Sequence, residues 1–138
     1  MNIRYPATFT PQEPSGYLVQ FIDLENAFTQ GETIEECEFN GSEVLSMMLE
    51  DRLERGEAIP QPTQGVAGAH YLAPAISVQS ALLLRQARGD RSLSDLARAM
   101  ETSWGAAQRL EDPKHWPTLK QLDRAAKVLG KQLVLSLE

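Results

Sequence analysis

The chain has 138 residues, of which 42% are hydrophobic and 23% charged, so it suits one ordinary domain or two very small ones. A single cysteine cannot form an internal disulfide, and nothing therefore indicates an oxidising compartment. The longest purely apolar run, residues 81–84, is far shorter than the roughly 20 residues that a membrane span needs. The first ten residues lack the apolar core of a secretory signal, and we expect a cytoplasmic protein without a membrane partner.

Charge is distributed unevenly along the chain. The net charge is −6, from 13 Lys and Arg residues against 19 Asp and Glu residues. Residues 1–70 carry 3 basic and 12 acidic side chains, a net charge of −9, whereas residues 71–138 carry 10 basic and 7 acidic ones, a net charge of +3. This asymmetry favours two parts with different partners, although uneven decoration of one domain's surface would also produce it.

The first part is predicted to begin with a β-hairpin. Apolar residues alternate with polar ones on both sides of a turn-rich segment, residues 11–16, at Ile3, Tyr5, Ala7, Phe9, Tyr17, Val19 and Phe21. Pro6 has no N–H to donate, which predicts that the first strand lies at an edge of the sheet. A third short strand around residues 27–30 is more weakly marked.

A long helix is predicted from Thr33 to the Arg55-Gly56 stop. Thr33 and Glu36 have the spacing of a capping box, and glycine readily takes the left-handed conformation that ends a helix. The apolar stripe at helical spacing is Ile34, Cys37, Gly41, Val44, Leu45, Met48, Leu49 and Leu53. Cys37 lies within this stripe, which favours a buried structural thiol. The opposite side is acidic, with Glu35, Glu38, Glu43, Glu50, Asp51 and Glu54.

A loop or linker follows the helix and separates the two predicted domains. Residues 59–69 contain two prolines and two glycines and no charged residue. A short strand at residues 70–73 could return to the sheet. The boundaries that we expect are residues 1–73 for the first domain and 74–138 for the second.

The second part is predicted to be helical, with one terminal strand. Its four helices begin near Ser77, after Ser92, after Ser103 and after Thr118; the Ser92–Asp95 spacing also fits a capping box, and Gly130 ends the last helix. Residues 132–137 alternate as a strand does. A strand after four helices needs a partner, which could be the same strand of a twofold mate or its own domain.

The second and third of these helices, joined by a tight turn, have the length and apolar spacing of a helix-turn-helix unit. The third helix would enter the major groove, where arginine can bind guanine and glutamine adenine, while its capping serine would meet a phosphate. Trp104 could be a core anchor, a sugar-phosphate contact or an interface residue. The candidate DNA-binding residues are Ser92, Ser94, Ser103, Trp104, Gln108 and Arg109.

Three residues depart from the usual helix-turn-helix pattern. Glu101 occupies the turn position where glycine is usual, and Ala107 is smaller than the branched residue that normally packs there. Gly105 lowers helix stability by roughly 1 kcal/mol relative to alanine. A helical dimerisation module that does not contact nucleic acid is therefore the alternative.

Motifs for catalysis are weak. The two histidines, His70 and His115, lie 45 positions apart, and no Cys/His set has metal-ligand spacing. No glycine-rich phosphate loop accompanies a lysine. We expect no catalytic residue, no metal site and no cofactor.

The order of motifs resembles the HicB antitoxin family. The motifs are Tyr17-x-Val19-x-Phe21-x-Asp23, then Thr29-x-Gly31-x-Thr33-x-x-Glu36, then a long helix before Ile59-Pro60-x-Pro62. The resemblance implies an α+β fold with a truncated, RNase H-like N-terminal domain that binds rather than cleaves, and a C-terminal helix-turn-helix domain. The partners that it implies are HicA, a small basic ribonuclease toxin whose catalytic histidine would be covered, and operator DNA, bound by a homodimer. A larger hetero-oligomer with the toxin is left open.

The charge pattern agrees with such a partner. A ribonuclease needs a positive surface for RNA, and an acidic inhibitor complements that surface. The candidate toxin-binding residues are Asp23, Glu25, Glu35 and Glu38. Two alternatives remain: a free-standing transcription regulator with a sensing N-terminal domain, and a small RNase H-type hydrolase. The hydrolase needs several carboxylates converging on two metal ions, and the predicted strands offer only Asp23.

Overall fold

A four-stranded sheet and five helices make up the structure, a computed structural model that describes residues 2–138. The elements in chain order are β1 (Tyr5–Pro11), β2 (Tyr17–Phe21), β3 (Phe28–Gly31), α1 (Ile34–Arg55), β4 (His70–Leu72), α2 (Ile76–Arg88), α3 (Leu93–Ala99), α4 (Trp104–Leu110) and α5 (Leu119–Val128). Two compact units divide these residues, Asn2–Gln79 and Ser80–Glu138. Within the described residues, none of the helices is both long and apolar enough to cross a membrane. The fold is thus a mixture of α and β structure.

The sheet of the first unit has the strand order β3-β2-β1-β4, and every neighbouring pair is antiparallel. Ala7 pairs with Phe21 and Tyr5 with Leu72, so these apolar side chains share one face of the sheet. That face is buried, as the alternation in sequence predicts.

The edge position predicted for the first strand is wrong, because β1 lies between β2 and β4. Pro6 is tolerated there because its carbonyl points towards β2, where it accepts a hydrogen bond of 3.1 Å from the Ile22 N–H. This bond lies just beyond the last residue of β2, at the end of the ladder. Proline therefore removes a single terminal hydrogen bond and interrupts no run of them.

Helix α1 covers the buried face of the sheet. The Thr33 hydroxyl oxygen accepts the Glu36 N–H, and Gly56, at φ 67°, ends the helix as predicted. The Glu36 carboxylate accepts the N–H of Glu32 and not that of Thr33, which departs from a complete capping box. Within the predicted stripe, the buried residues are Cys37, Gly41, Leu45, Leu49 and Leu53. A Cβ on Gly41 would lie 2.6 Å from Leu72 Cδ1, so the absence of a side chain lets α1 approach the sheet closely.

The loop after α1 is held against the sheet by side chains. The Tyr5 hydroxyl donates to the Pro60 carbonyl at 2.6 Å, and the Tyr71 hydroxyl donates to the Thr63 carbonyl at 2.9 Å. The Val66 N–H donates to the Tyr71 hydroxyl oxygen at 3.0 Å. Residues 59–69, which have the composition of a linker, therefore form an anchored loop within the first unit.

The second unit has its own apolar core. Buried side chains from four helices form it: Leu84, Leu96, Ala97, Met100, Ala107, Leu110, Ala125 and Leu129. Ser92, Ser103 and Thr118 cap α3, α4 and α5 as predicted, and Thr118 forms a complete capping box with Gln121. Asp95 donates its N–H to Ser92, but its carboxylate accepts from Arg98 instead of completing a box.

Residues 132–137, predicted as a strand, pair with no other strand of this chain, so pairing within their own domain is wrong, and pairing with the same strand of a twofold mate stays a prediction. Val134, Leu135 and Leu137 are 75%, 67% and 104% exposed. A β-strand needs a neighbouring strand to satisfy its backbone groups, and residues 80–131 contain no strand.

Candidate functional site

The acidic surface of the first unit is the first candidate site. All the charged residues of segment 1–70 lie in this unit and residues 71–79 add none, so its net charge is −9. Glu25 is exposed in the connection between β2 and β3, and Glu35 and Glu38 are exposed near the start of α1. Three of the four predicted toxin-binding residues are thus accessible on the surface of this unit.

Asp23, the fourth, has a structural role. Its two carboxylate oxygens accept from the N–H and the hydroxyl of Thr63 at 2.9 and 2.5 Å. The carboxylate therefore links the end of β2 to the anchored loop, 40 residues further along the chain. Nothing in the local sequence marks Thr63 as its partner.

A polar cavity of about 400 Å³ lies beside the start of α1, and the sequence did not predict it. It is lined by Gln12, Thr29, Gln30, Gly31, Glu32, Glu36 and Asn40. The Glu32 carboxylate accepts the Ser15 hydroxyl at 2.8 Å, and Asn40 donates to the Gln30 carbonyl at 2.9 Å. Two carboxylates and several amides suit a cationic or hydrogen-bond-donating group. The Glu32–Glu36 spacing was visible in sequence, but β3 and the β1–β2 turn complete the cavity.

The second candidate site is the outer side of α4. Ser103, Gln108 and Arg109 are exposed, and Trp104 is 53% exposed, which excludes the core-anchor interpretation of that tryptophan. The Ser103 hydroxyl oxygen accepts the Ala106 N–H at 3.1 Å, and its own O–H can still donate to an anion. The four residues therefore place one aromatic ring, one amide and one guanidinium on a single short helix and one hydroxyl at its N-cap.

Helix α3 and the turn after it position α4. Ser92 and Ser94 are exposed at the start of α3, and the Ser92 hydroxyl oxygen accepts the Asp95 N–H at 3.0 Å. Glu101 in the turn has φ 54°, the left-handed conformation that explains why glycine is usual there. Ala107 is completely buried, so its small side chain belongs to close packing in the core.

The histidine, cysteine and tyrosine side chains of the first unit that could act in catalysis are instead packed into its structure. The His70 ring stacks on Phe9 at a centroid distance of 3.9 Å. Burial raises the pKa of the Cys37 thiol, which favours its protonated form. Burial, with a smaller contribution from Asp23, raises the pKa of Tyr5 to about 12. Among residues 2–138, no three His, Cys, Asp or Glu side chains are grouped in a way that could hold a metal ion.

Comparison with known proteins identifies the family. A family model described as the HicB-like antitoxin of bacterial toxin–antitoxin systems matches residues 4–82. The protein named Antitoxin HicB 1 of Photorhabdus laumondii is 35% identical to this chain, over 99% of the chain and 88% of its own length. Antitoxin HicB of Escherichia coli K12 is 33% identical, over 96% of this chain and 98% of its own length. The chain therefore belongs to the HicB-like antitoxin family of bacterial toxin–antitoxin systems.

Proposed function

We propose that this protein neutralises a small, basic, HicA-type ribonuclease by covering its active site, and that it represses its own operon by binding operator DNA. The observation that carries the proposal is the opposite charge of the two compact units, −9 for Asn2–Gln79 and +3 for Ser80–Glu138. A single polypeptide with these two surfaces can attract a cationic protein with one and a polyanion with the other. Its relatives are named antitoxins, which supports a regulatory and not an enzymatic role.

The acidic unit suits inhibition of a ribonuclease. A ribonuclease presents cationic groups to RNA phosphates, and carboxylates of an inhibitor can occupy the same positions. Glu25, Glu35 and Glu38 are exposed and can take part in such contacts, whereas the Asp23 carboxylate binds Thr63 of the anchored loop. The truncated RNase H-like character that we infer for this unit would then serve binding.

The second unit suits DNA recognition by α3 and α4 acting as a helix-turn-helix. With α4 in the major groove, Arg109 would bind guanine and Gln108 adenine, and Trp104 would lie near the sugar-phosphate backbone. The hydroxyls of Ser92, Ser94 and Ser103 would contact phosphates. A net charge of +3 is small for this task, and a homodimer formed through this unit would double the contacts and set half-sites about one helical turn, or a multiple of it, apart.

The proposal predicts that a reading frame adjacent to this gene encodes a short basic protein, and it is tested by expressing the chain together with that protein. We expect the two proteins to co-purify, and we expect the complex to cleave RNA far more slowly than the free basic protein does. A DNA fragment from upstream of the operon should bind the purified chain more tightly than a scrambled fragment of the same length. Stable expression without any interaction with the basic protein would contradict the antitoxin role and favour a free-standing regulator.

Electrostatic steering has its own test. Reversing the charges of Glu25, Glu35 and Glu38 together should lower the association rate with the basic protein at low salt, by about tenfold or more. The difference between variant and parent should shrink as salt is added, because surface charges are screened. An unchanged association rate would exclude steering by these residues.

A further inference from the structure

Two large apolar side chains stand exposed on the acidic side of α1. Phe39 and Met47 are each 64% exposed, although α1 carries seven acidic residues against two arginines. Single exposed apolar residues are common on protein surfaces and need no explanation. The combination of two such residues on one acidic helix face is the feature that points to a partner.

Helix geometry brings these side chains into one surface. Phe39, Glu43 and Met47 are spaced four residues apart, so Glu43 lies between the two apolar side chains along the helix axis and around it. The apolar side chains are about 12 Å apart along the axis, which is slightly more than two turns. We define the outer face of α1 as Glu36, Phe39, Glu43, Met47 and Glu50, all on the side away from the buried stripe.

We propose that the outer face of α1 is the docking surface for the basic ribonuclease, with Phe39 and Met47 as apolar anchors and the glutamates around them binding its cations. This inference rests on the proposed function and adds the contact surface to it. Charge complementarity selects the occupant, because α1 has a net charge of −5 and would repel a nucleic acid. Exposed apolar groups ringed by charged ones are also the usual composition of a protein–protein contact.

The polar cavity extends this surface towards the start of α1. Glu36 and Asn40 belong to both the helix and the cavity lining, and Glu32 contributes a second carboxylate. The cavity volume, about 400 Å³, can hold one long cationic side chain. An arginine of the ribonuclease placed there could be bound by both carboxylates.

The test uses the full-length chain and a catalytically inactive form of the basic protein from the adjacent reading frame, with binding measured by surface plasmon resonance. The double variant Phe39→Ser/Met47→Ser should raise the dissociation constant about 30-fold or more, mainly through faster dissociation. The matched control is Leu18→Ser/Phe28→Ser, which removes two apolar side chains, 36% and 57% exposed, from the uncovered face of the sheet. The control should change the dissociation constant less than threefold.

A second pair of variants compares the loss of two negative charges inside the cavity with the same loss elsewhere on the unit. Glu32→Gln/Glu36→Gln keeps the hydrogen-bond acceptors of the cavity but removes two charges, and it should accelerate dissociation by about tenfold. Glu13→Gln/Glu57→Gln removes the same charge from exposed positions outside α1 and outside the cavity, and should only slow association.

The possible results separate the inference from the proposed function. If the sheet-face control weakens binding and the α1 variant does not, the docking surface is wrong while the antitoxin role stands. If the α1 variant disrupts only self-association of the chain, measured by sedimentation velocity, the face joins two copies and the proposal is wrong. If the parent chain does not bind the basic protein, both proposals fail together.

Discussion

Arg88 and Glu111 form a two-point ion pair that joins the end of α2 to the end of α4. Nε and Nη2 of Arg88 donate to Oε2 and Oε1 of Glu111 at 2.6 and 2.9 Å, and the side chains are only 18% and 9% exposed. These hydrogen bonds raise the pKa of Arg88 above its usual value, and a third donor, Nη1, binds the Arg91 carbonyl. Because Glu111 directly follows the helix that carries Gln108 and Arg109, the pair positions the proposed DNA-reading side chains.

Replacing Arg88 by methionine should lower the free energy of unfolding by about 2–3 kcal/mol, because it leaves the poorly exposed Glu111 carboxylate without its partner. Urea denaturation of the full chain measures the effect. The matched control is Arg98→Met, which breaks the Arg98–Asp95 pair, whose side chains are 77% and 53% exposed. The control should cost less than about 1 kcal/mol. Equal losses for the two variants would contradict a structural role of the Arg88 pair.

Replacing Tyr5 by phenylalanine should lower the free energy of unfolding by about 1–2 kcal/mol. The substitution removes the hydroxyl that donates a hydrogen bond to the Pro60 carbonyl at 2.6 Å. The substitution should also change the dependence of stability on pH. The pKa of Tyr5 is about 12 in the folded chain, above its ordinary value of 10.0, so unfolding releases a proton between these values. Its stabilising contribution is complete below pH 10 and is lost as the pH rises to about 12. We therefore expect the difference in unfolding free energy between parent and variant, measured by denaturation, to decrease as the pH rises from 8 to 12. A difference that stays constant over this range would contradict the raised pKa.

Replacement by alanine should have opposite effects on stability at Gly31 and at Gly105. A Cβ on Gly31 would lie 2.8 Å from the Cys37 backbone nitrogen, so Gly31→Ala should destabilise the chain by about 1–3 kcal/mol. A Cβ on Gly105 would meet only Arg109 Nη1 at 3.7 Å, an ordinary contact, and Gly105→Ala should stabilise α4 by up to about 1 kcal/mol. Thermal unfolding of the two variants in parallel checks both signs. A loss of stability in Gly105→Ala would show that α4 needs the glycine for packing.

Arg109→Ala should weaken operator binding by about 1–3 kcal/mol and relax the base preference at one position if the guanidinium binds guanine. Competition binding with operator variants measures this. Equal weakening on operator and scrambled DNA would assign Arg109 to phosphate contacts instead. The matched control is Lys127→Ala, which removes the same single positive charge from α5 instead of α4. Lys127 forms an ion pair with Asp123 there, so we expect its loss to leave the base preference unchanged.

The terminal segment shows a limit of pattern-based prediction. Residues 132–137 alternate as a strand does, yet they pair with no strand of their own chain, because pairing needs a second backbone at the right distance and alternation does not supply one. Pro6 is a second example in which a local pattern did not determine strand pairing. Its missing N–H predicts an edge, but β4, which begins 64 residues later, pairs on the other side of β1.

The sequence by itself determined the local elements and the family. Caps at Thr33, Ser92, Ser103 and Thr118, glycine stops and apolar periodicity depend on residues a few positions apart, so local patterns are sufficient to place the helices. Motif order along the chain was enough to indicate HicB-like antitoxins, in agreement with the match over residues 4–82.

Only the tertiary structure decided which distant residues meet. It paired Asp23 with Thr63 and Arg88 with Glu111, brought the lining of the polar cavity together around Glu32, and left Phe39 and Met47 exposed. The physical reason is that such contacts depend on strand register and on the path of loops, and a local sequence pattern specifies neither.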